Sequence, residues 1–146
     1  ELKELRENEI GEIASLIATK PSVRTNLLVY QRDFAYQKGG AVLDGRDIGT
    51  VVCPDADVKI FVDATESVRA QRRFNQLKEQ NFETSYNEVL ANLRKRDTQD
   101  RIRKIAPMVP SKDALLLDSS EISVQESLDI IILRINTELK KITLNS

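Results

Sequence analysis

The sequence predicts an α/β domain built on a parallel sheet. Three short apolar runs, Ala41 to Leu43, Val58 to Val62 and Ala114 to Leu117, lack strict alternation with polar residues, so each reads as a strand buried on both faces. Amphipathic segments long enough for helices flank and separate these runs, and helices are the usual connection between parallel strands. At 146 residues, 40% hydrophobic and 31% charged, the chain has enough apolar material for one core and no need of several.

The elements follow in order. Between Glu7 and Thr19, Ile10, Ile13, Ala14, Leu16 and Ile17 recur at helical spacing, and Lys20-Pro21 interrupts the pattern because a residue before proline disfavours helical torsions. Ser22 is the expected N-cap of a second helix containing Val23, Leu27, Leu28, Tyr30 and Phe34, which should stop at Gly39-Gly40. The three strands come next, with helices expected over Glu66 to Gln80 and Tyr86 to Arg103 between the second and third. Val124 to Lys141 makes a long amphipathic helix at the end. There is no internal repeat or low-complexity tract.

Composition removes several function classes. With 22 Lys and Arg against 23 Asp and Glu, the net charge of -1 argues against nucleic-acid binding by broad phosphate neutralisation. The lone Cys53 and the absence of His leave neither a disulfide framework nor a zinc site, so no metal ligands are assigned. Cys53 is expected to pack. Asp55 and Asp57 in PDAD suit a turn before a strand better than a metal site. No apolar run approaches the ~18 residues of a membrane span, and ELKELRENEI has no signal-peptide pattern, so no membrane partner is expected and the cytosol is the expected compartment.

The stretch Val42 to Val52, VLDGRDIGTVV, is unusual for a simple change of direction. In parallel α/β sheets ligands gather at the carboxyl ends of the strands, which is where Asp44 to Asp47 would fall. Gly45 and Gly49 permit close backbone approach, and Arg46 presents a planar fork of donors suited to phosphate. The same residues would also serve a turn in which Arg46 and Asp47 pair with each other or cap the next helix. A second charged cluster lies in LRKRDTQDRIRK, residues 93 to 104. There Arg96, Asp100 and Arg103 share one helical face, and Arg94, Asp97 and Arg101 form another row. Such rows also describe a solvated helix with internal ion pairs. The preponderance of Arg over Lys is what points toward oxygen-rich ligands. QRR at 71 to 73 adds Arg72 and Arg73.

DGRDIGTVVCPDADVKIFVDA, then VRAQRR, then RKRDTQDRIRKIAPMVPSKDALLLDSS closely resembles the succession found in bacterial cytidylate kinases, nucleoside-monophosphate kinases with a P-loop fold. The resemblance is collinear over essentially the whole chain, and ASLIATKPSVR, residues 14 to 24, is similar to that family's monophosphate-binding segment. It implies a P-loop NTPase-like three-layer parallel sheet with flanking helices, lacking in this sequence its N-terminal strand and P-loop. Residues 1–40 would belong to the acceptor-binding region and the helix leading into the core, and 41–146 to the core, with a lid at about 72–103.

The resemblance also implies roles. Ser15 and Arg24 match positions at the cytosine ring, Arg46 a position at the phosphates, Asp47 and Arg103 positions near the base, and Arg96 and Asp100 the pair holding the acceptor sugar. Arg46 and Arg96 are the candidate catalytic residues; Arg72, Arg73, Arg94 and Arg101 are candidates for ATP phosphates in the lid. The implied reaction moves the terminal phosphoryl group of ATP, with Mg2+, to CMP or dCMP, and the implied state is a monomer acting on small molecules. The glycine-rich loop G-x-x-x-x-G-K-[ST] occurs nowhere in the 146 residues; its place in the family precedes Glu1, so the chain is expected to start inside the monophosphate-binding region. A non-catalytic nucleotide-binding fragment or interaction module, and a kinase of the same fold acting on UMP, are the competing readings.

Overall fold

A computed structural model describes Ile13, Ile17 and residues 20–144. Ile13 and Ile17 are helical, while Ser15 and most of the helix expected between Glu7 and Thr19 lie outside the described residues.

Helix α1 spans Pro21–Ala35. Its N-cap is Lys20, in extended conformation, and not Ser22: Pro21 fills the first turn, where its fixed torsion suits a helix and its missing N–H costs nothing. The helix ends at Tyr36, whose N–H bonds the carbonyl of Arg32, and the chain leaves through Gly39 and Gly40 at φ of 102° and 84°. A side chain at either position would be strained, which explains the glycine pair. The expected strand Ala41 to Leu43 does not form among the described residues. A strand needs a neighbouring backbone to bond, this segment has none there, and Val42 is 93% exposed.

After Asp44 to Asp47 the chain makes one π-helical turn, Ile48–Val52. The Cys53 N–H reaches the Ile48 carbonyl at 2.7 Å, and Val52 and Cys53 are buried beneath it. Pro54 and Asp55 form a turn, as their residue types require, with the Ala56 N–H bonding the Cys53 carbonyl at 3.2 Å. Strands β1, Ile60–Asp63, and β2, Leu115–Asp118, then pair in parallel, Ile60 opposite Leu115 and Asp63 opposite Asp118. Both strands sit one or two residues later than their apolar runs, because each ladder extends to an aspartate at the carboxyl end.

Helices α2, Glu66–Glu79, and α3, Tyr86–Ile102, form an antiparallel hairpin between the strands. Ala70, Leu77 and Val89 make its buried centre, flanked by Phe74, Phe82, Tyr86 and Leu90. The Phe74 and Tyr86 rings meet edge to face with centroids 6.4 Å apart, an arrangement aromatic quadrupoles favour. Ser85 and Glu88 start α3 with a reciprocal capping box, each side chain bonding the other's backbone N–H. Arg72 ties α2 to the end of β2, donating to the Ser119 hydroxyl at 3.0 Å and carbonyl at 2.6 Å. Helix α4, Val124–Leu144, is amphipathic by sequence yet buries none of its residues among those described. No helix of the described residues is long and apolar enough to cross a membrane.

Candidate functional site

Three segments meet around a cavity of about 420 Å³: α1, the turn at Arg46 and Asp47, and the last turns of α3. Arg24, Arg46, Asp47, Arg96, Asp100 and Arg103 all line it, with Leu27, Leu28, Val51 and Ile105 as apolar wall. Local structure explains how each arrives. Helix α1 begins at Pro21 and so presents Arg24 one turn in, where its guanidinium pairs with the Asp47 carboxylate. The π-helical turn starting at Ile48 fixes Asp47, whose carbonyl accepts the N–H groups of Thr50, Val51 and Val52. A second arginine of α1 clasps the far end of that turn, since Arg32 donates through Nε to the Val52 carbonyl at 2.9 Å and through Nη2 to the Val51 carbonyl at 3.0 Å.

Helix α3 supplies the other wall. It stops at Ile102, and Arg103 is extended, so its side chain turns back toward the helix axis and donates to the Ala106 carbonyl. The Met108 N–H then bonds the Asp100 carbonyl at 2.8 Å, closing the helix end before Val109. Asp100 lies at the floor, 2% exposed. Its carboxylate faces Arg46 Nε at 3.3 Å, Arg96 Nε at 3.9 Å and Arg103 Nη1 at 3.5 Å. Arg103 Nη2 also lies 4.0 Å from Asp47 Oδ1, so guanidinium and carboxylate groups alternate along the site from Arg24 through Asp47, Arg103 and Asp100 to Arg46.

This arrangement has two chemically different ends. Arg46 and Arg96 carry side chains 36% and 45% exposed, so both can offer N–H donors to oxygens entering from solvent. At the other end Arg24 and Asp47 put a donor and an acceptor side by side against aliphatic side chains, a combination suited to the edge and face of a heterocyclic base. Arg46 and Asp47 do not pair with each other: Asp47 takes Arg24, and Arg46 takes Asp100.

The lid candidates stand elsewhere. Arg72 is bound at Ser119, Arg73 donates to Gln76 at 2.8 Å, Arg94 pairs with Glu66 at 2.8 Å, and Arg101 lies 3.8 Å from Asp63. Ser15 lies outside the described residues. Charged residues beside the cavity that the sequence did not single out as site residues are Arg69 and Asp97, joined at 2.6 Å, with Asp97 only 6% exposed. Both were visible, Arg69 within VRAQRR and Asp97 in the middle of a charged helical row, but helical spacing cannot show which face is buried. Among the described residues no group of three carboxylate, Cys or His side chains is gathered that could hold a metal ion by itself.

Comparison with known proteins identifies the family. The family model for cytidylate kinase matches residues 2–137. The protein named cytidylate kinase from Cereibacter sphaeroides strain KD131 is 49% identical over 126 residues, covering 86% of this chain and 61% of the relative. That of Azorhizobium caulinodans is 52% identical over 123 residues, 84% of this chain and 60% of the relative, and that of Xanthobacter autotrophicus is 50% identical over 123 residues, 84% and 59%. The chain thus spans about 60% of the length of the curated relatives it matches. A match across residues 2–137 carries one conclusion: this chain belongs to the cytidylate kinase family.

Proposed function

We propose that the protein carrying this sequence transfers the γ-phosphoryl group of ATP to CMP or dCMP, giving the corresponding diphosphate and ADP. One observation carries the reading. Arg24, Arg46, Asp47, Arg96, Asp100 and Arg103, which come from segments far apart in the chain, line a single cavity with a polar, partly solvated end and a base-sized apolar end. Membership in a family whose fold is the P-loop NTPase α/β fold supports it.

In this reading Arg24 and Asp47, with Ser15, address the cytosine edge, and Arg103 holds Asp47 and Asp100 in place beside it. Asp100 accepts from the sugar hydroxyls and Arg96 braces it, while Arg46 takes the acceptor phosphate. Phosphoryl transfer asks little covalent chemistry of the protein, so Arg46 and Arg96 act by holding the acceptor in line and compensating charge that spreads over the transferring oxygens. No general acid or base is needed from the described residues. Mg2+ enters with ATP and draws charge from its phosphates. Since no G-x-x-x-x-G-K-[ST] lies in the 146 residues, the ATP half of the reaction is ascribed to the whole protein and the acceptor half to the residues described.

The α2–α3 hairpin, within about 72–103, is the lid of this reading, and residues 1–40 and 41–146 are its acceptor-binding and core parts. Closure would exchange the present partners of Arg72, Arg73, Arg94 and Arg101 for phosphate oxygens and exclude water. The protein acts as a cytosolic monomer on small molecules. Initial rates of ADP formation with CMP, dCMP, UMP and AMP, each with ATP and Mg2+, test the reading. CMP and dCMP should be preferred; preference for UMP or AMP, or no phosphorylation of any, overturns it.

A further inference from the structure

Asp97 is a buried carboxylate that, among the described ion pairs, reaches the acceptor site through one arginine. Its Oδ2 lies 2.6 Å from Arg69 Nη1, and its Oδ1 lies 3.9 Å from Arg46 Nη1. One carboxylate is therefore shared unequally between two guanidinium groups, and the shorter contact belongs to the arginine outside the cavity. Arg69 is held firmly for this purpose. Its Nε donates to the Ala64 carbonyl at 2.9 Å and lies 3.7 Å from Asp63 Oδ1, which anchors the side chain at the carboxyl end of β1.

Three anions compete for Arg46 whenever a phosphate enters: the incoming phosphate and the carboxylates of Asp97 and Asp100. Asp100 is committed in several directions, facing Arg96 and Arg103 as well as Arg46. Among the described residues Asp97 forms ion pairs with Arg69 and Arg46 alone. If Arg69 were neutral, a buried carboxylate would be left, among the described ion pairs, with that to Arg46, and a buried charge claims whatever counter-ion is in reach because solvation is lost to it.

We propose that Arg69 is a positioning residue for the acceptor phosphate: by holding Asp97 at the end of β1, it keeps that carboxylate from capturing Arg46. The inference rests on the acceptor site described above. Arg69 is not among the residues lining that cavity. The role is specific to phosphate, because the ion pairs of Arg69 and Asp97 lead to Asp63 and Arg46, whereas those of Asp47 at the base end lead to Arg24 and Arg103.

Calorimetric titration of the protein with CMP, and separately with cytidine, tests the proposal. Arg69→Met keeps the unbranched stem of the side chain and removes its charged head. It should weaken CMP about tenfold, the order expected for one charge-assisted hydrogen bond, and leave cytidine unchanged. Adding Asp97→Asn to Arg69→Met should return CMP to near its original affinity, and Arg69→Lys should retain most of it. Asp97→Asn alone should tighten CMP by about threefold, since a like charge near the phosphate is removed; this variant decides the matter if Arg69→Met does not fold. Equal losses for CMP and cytidine, failure of the double variant to recover CMP, or weaker CMP binding by Asp97→Asn would each overturn the proposal. If the unaltered protein binds no CMP, it is the acceptor reading that falls.

Discussion

Asp100→Asn is the perturbation from which most can be learned, because it removes one charge from the floor of the cavity with almost no change of shape. The carboxylate it replaces lies within 3.3 to 3.9 Å of nitrogens on Arg46, Arg103 and Arg96 and is 2% exposed. Removing one member of a buried ion pair costs about 3–5 kcal/mol when the other is stranded. Here the cost is smaller. Arg46 and Arg96 are more than a third exposed and recover hydration by turning outward, whereas Arg103, at 9%, cannot. Arg103 loses its nearer carboxylate and keeps Asp47 at 4.0 Å, so about 2 kcal/mol of stability should be lost. In the proposed function the same change weakens the acceptor for a sugar hydroxyl, and the loss of a charged hydrogen bond at about 1.5–3 kcal/mol corresponds to roughly tenfold to hundredfold weaker CMP binding. Urea denaturation followed by circular dichroism gives the first quantity and calorimetric titration with CMP the second. An unchanged denaturation midpoint together with a Kd for CMP within about twofold of the original would refute both the electrostatic reasoning and the placement of Asp100 in the site.

Other expectations follow from the same geometry. Arg103→Ala, by freeing Asp47 and Asp100 from their shared partner, should weaken CMP by about tenfold to a hundredfold; unchanged titration would remove it from the site. Leu77→Ala should cost about 3 kcal/mol, because Leu77 is buried between α2 and α3 and leaves a cavity there; a midpoint shift worth less than about 1 kcal/mol would show that the hairpin repacks. The Glu88 carboxyl accepts the Ser85 N–H and then its hydroxyl, and these bonds hold its pKa below the ordinary glutamate value. A depressed folded pKa means that the contribution to stability is complete above the unfolded value of about 4.3 and is lost as pH falls through the folded one. An NMR titration of the Glu88 side chain should give a midpoint below that of a model peptide, and Ser85→Ala should raise it; a midpoint at the peptide value contradicts the capping box.

Much of this organisation was legible in the sequence, for physical reasons that also explain what was not. Helices α2, α3 and α4 began at Glu66, Tyr86 and Val124 as expected, because apolar periodicity and capping residues are local signals. Ala41 to Leu43 failed as a strand because an apolar run does not reveal whether a neighbouring backbone is at hand. The π-helical turn Ile48–Val52 had no sequence signal, since its wider spacing depends on Arg32 and the buried Val52. Arg24, Arg46, Asp47, Arg96, Asp100 and Arg103 were named from residue type and family resemblance, and they share one cavity. Arg69 and Asp97 were not named as site residues, because a charged row on a helix reads as solvated until tertiary packing buries it.

A crystal structure of the protein soaked with CMP tests the central claim most directly. The cytosine should lie against Leu27 and Leu28 with its polar edge on Arg24 and Asp47, the sugar at Asp100, and the phosphate on Arg46 in place of that arginine's contact with Asp97. CMP bound away from these side chains, or bound with its phosphate at Arg24 and its base at Arg46, would contradict it.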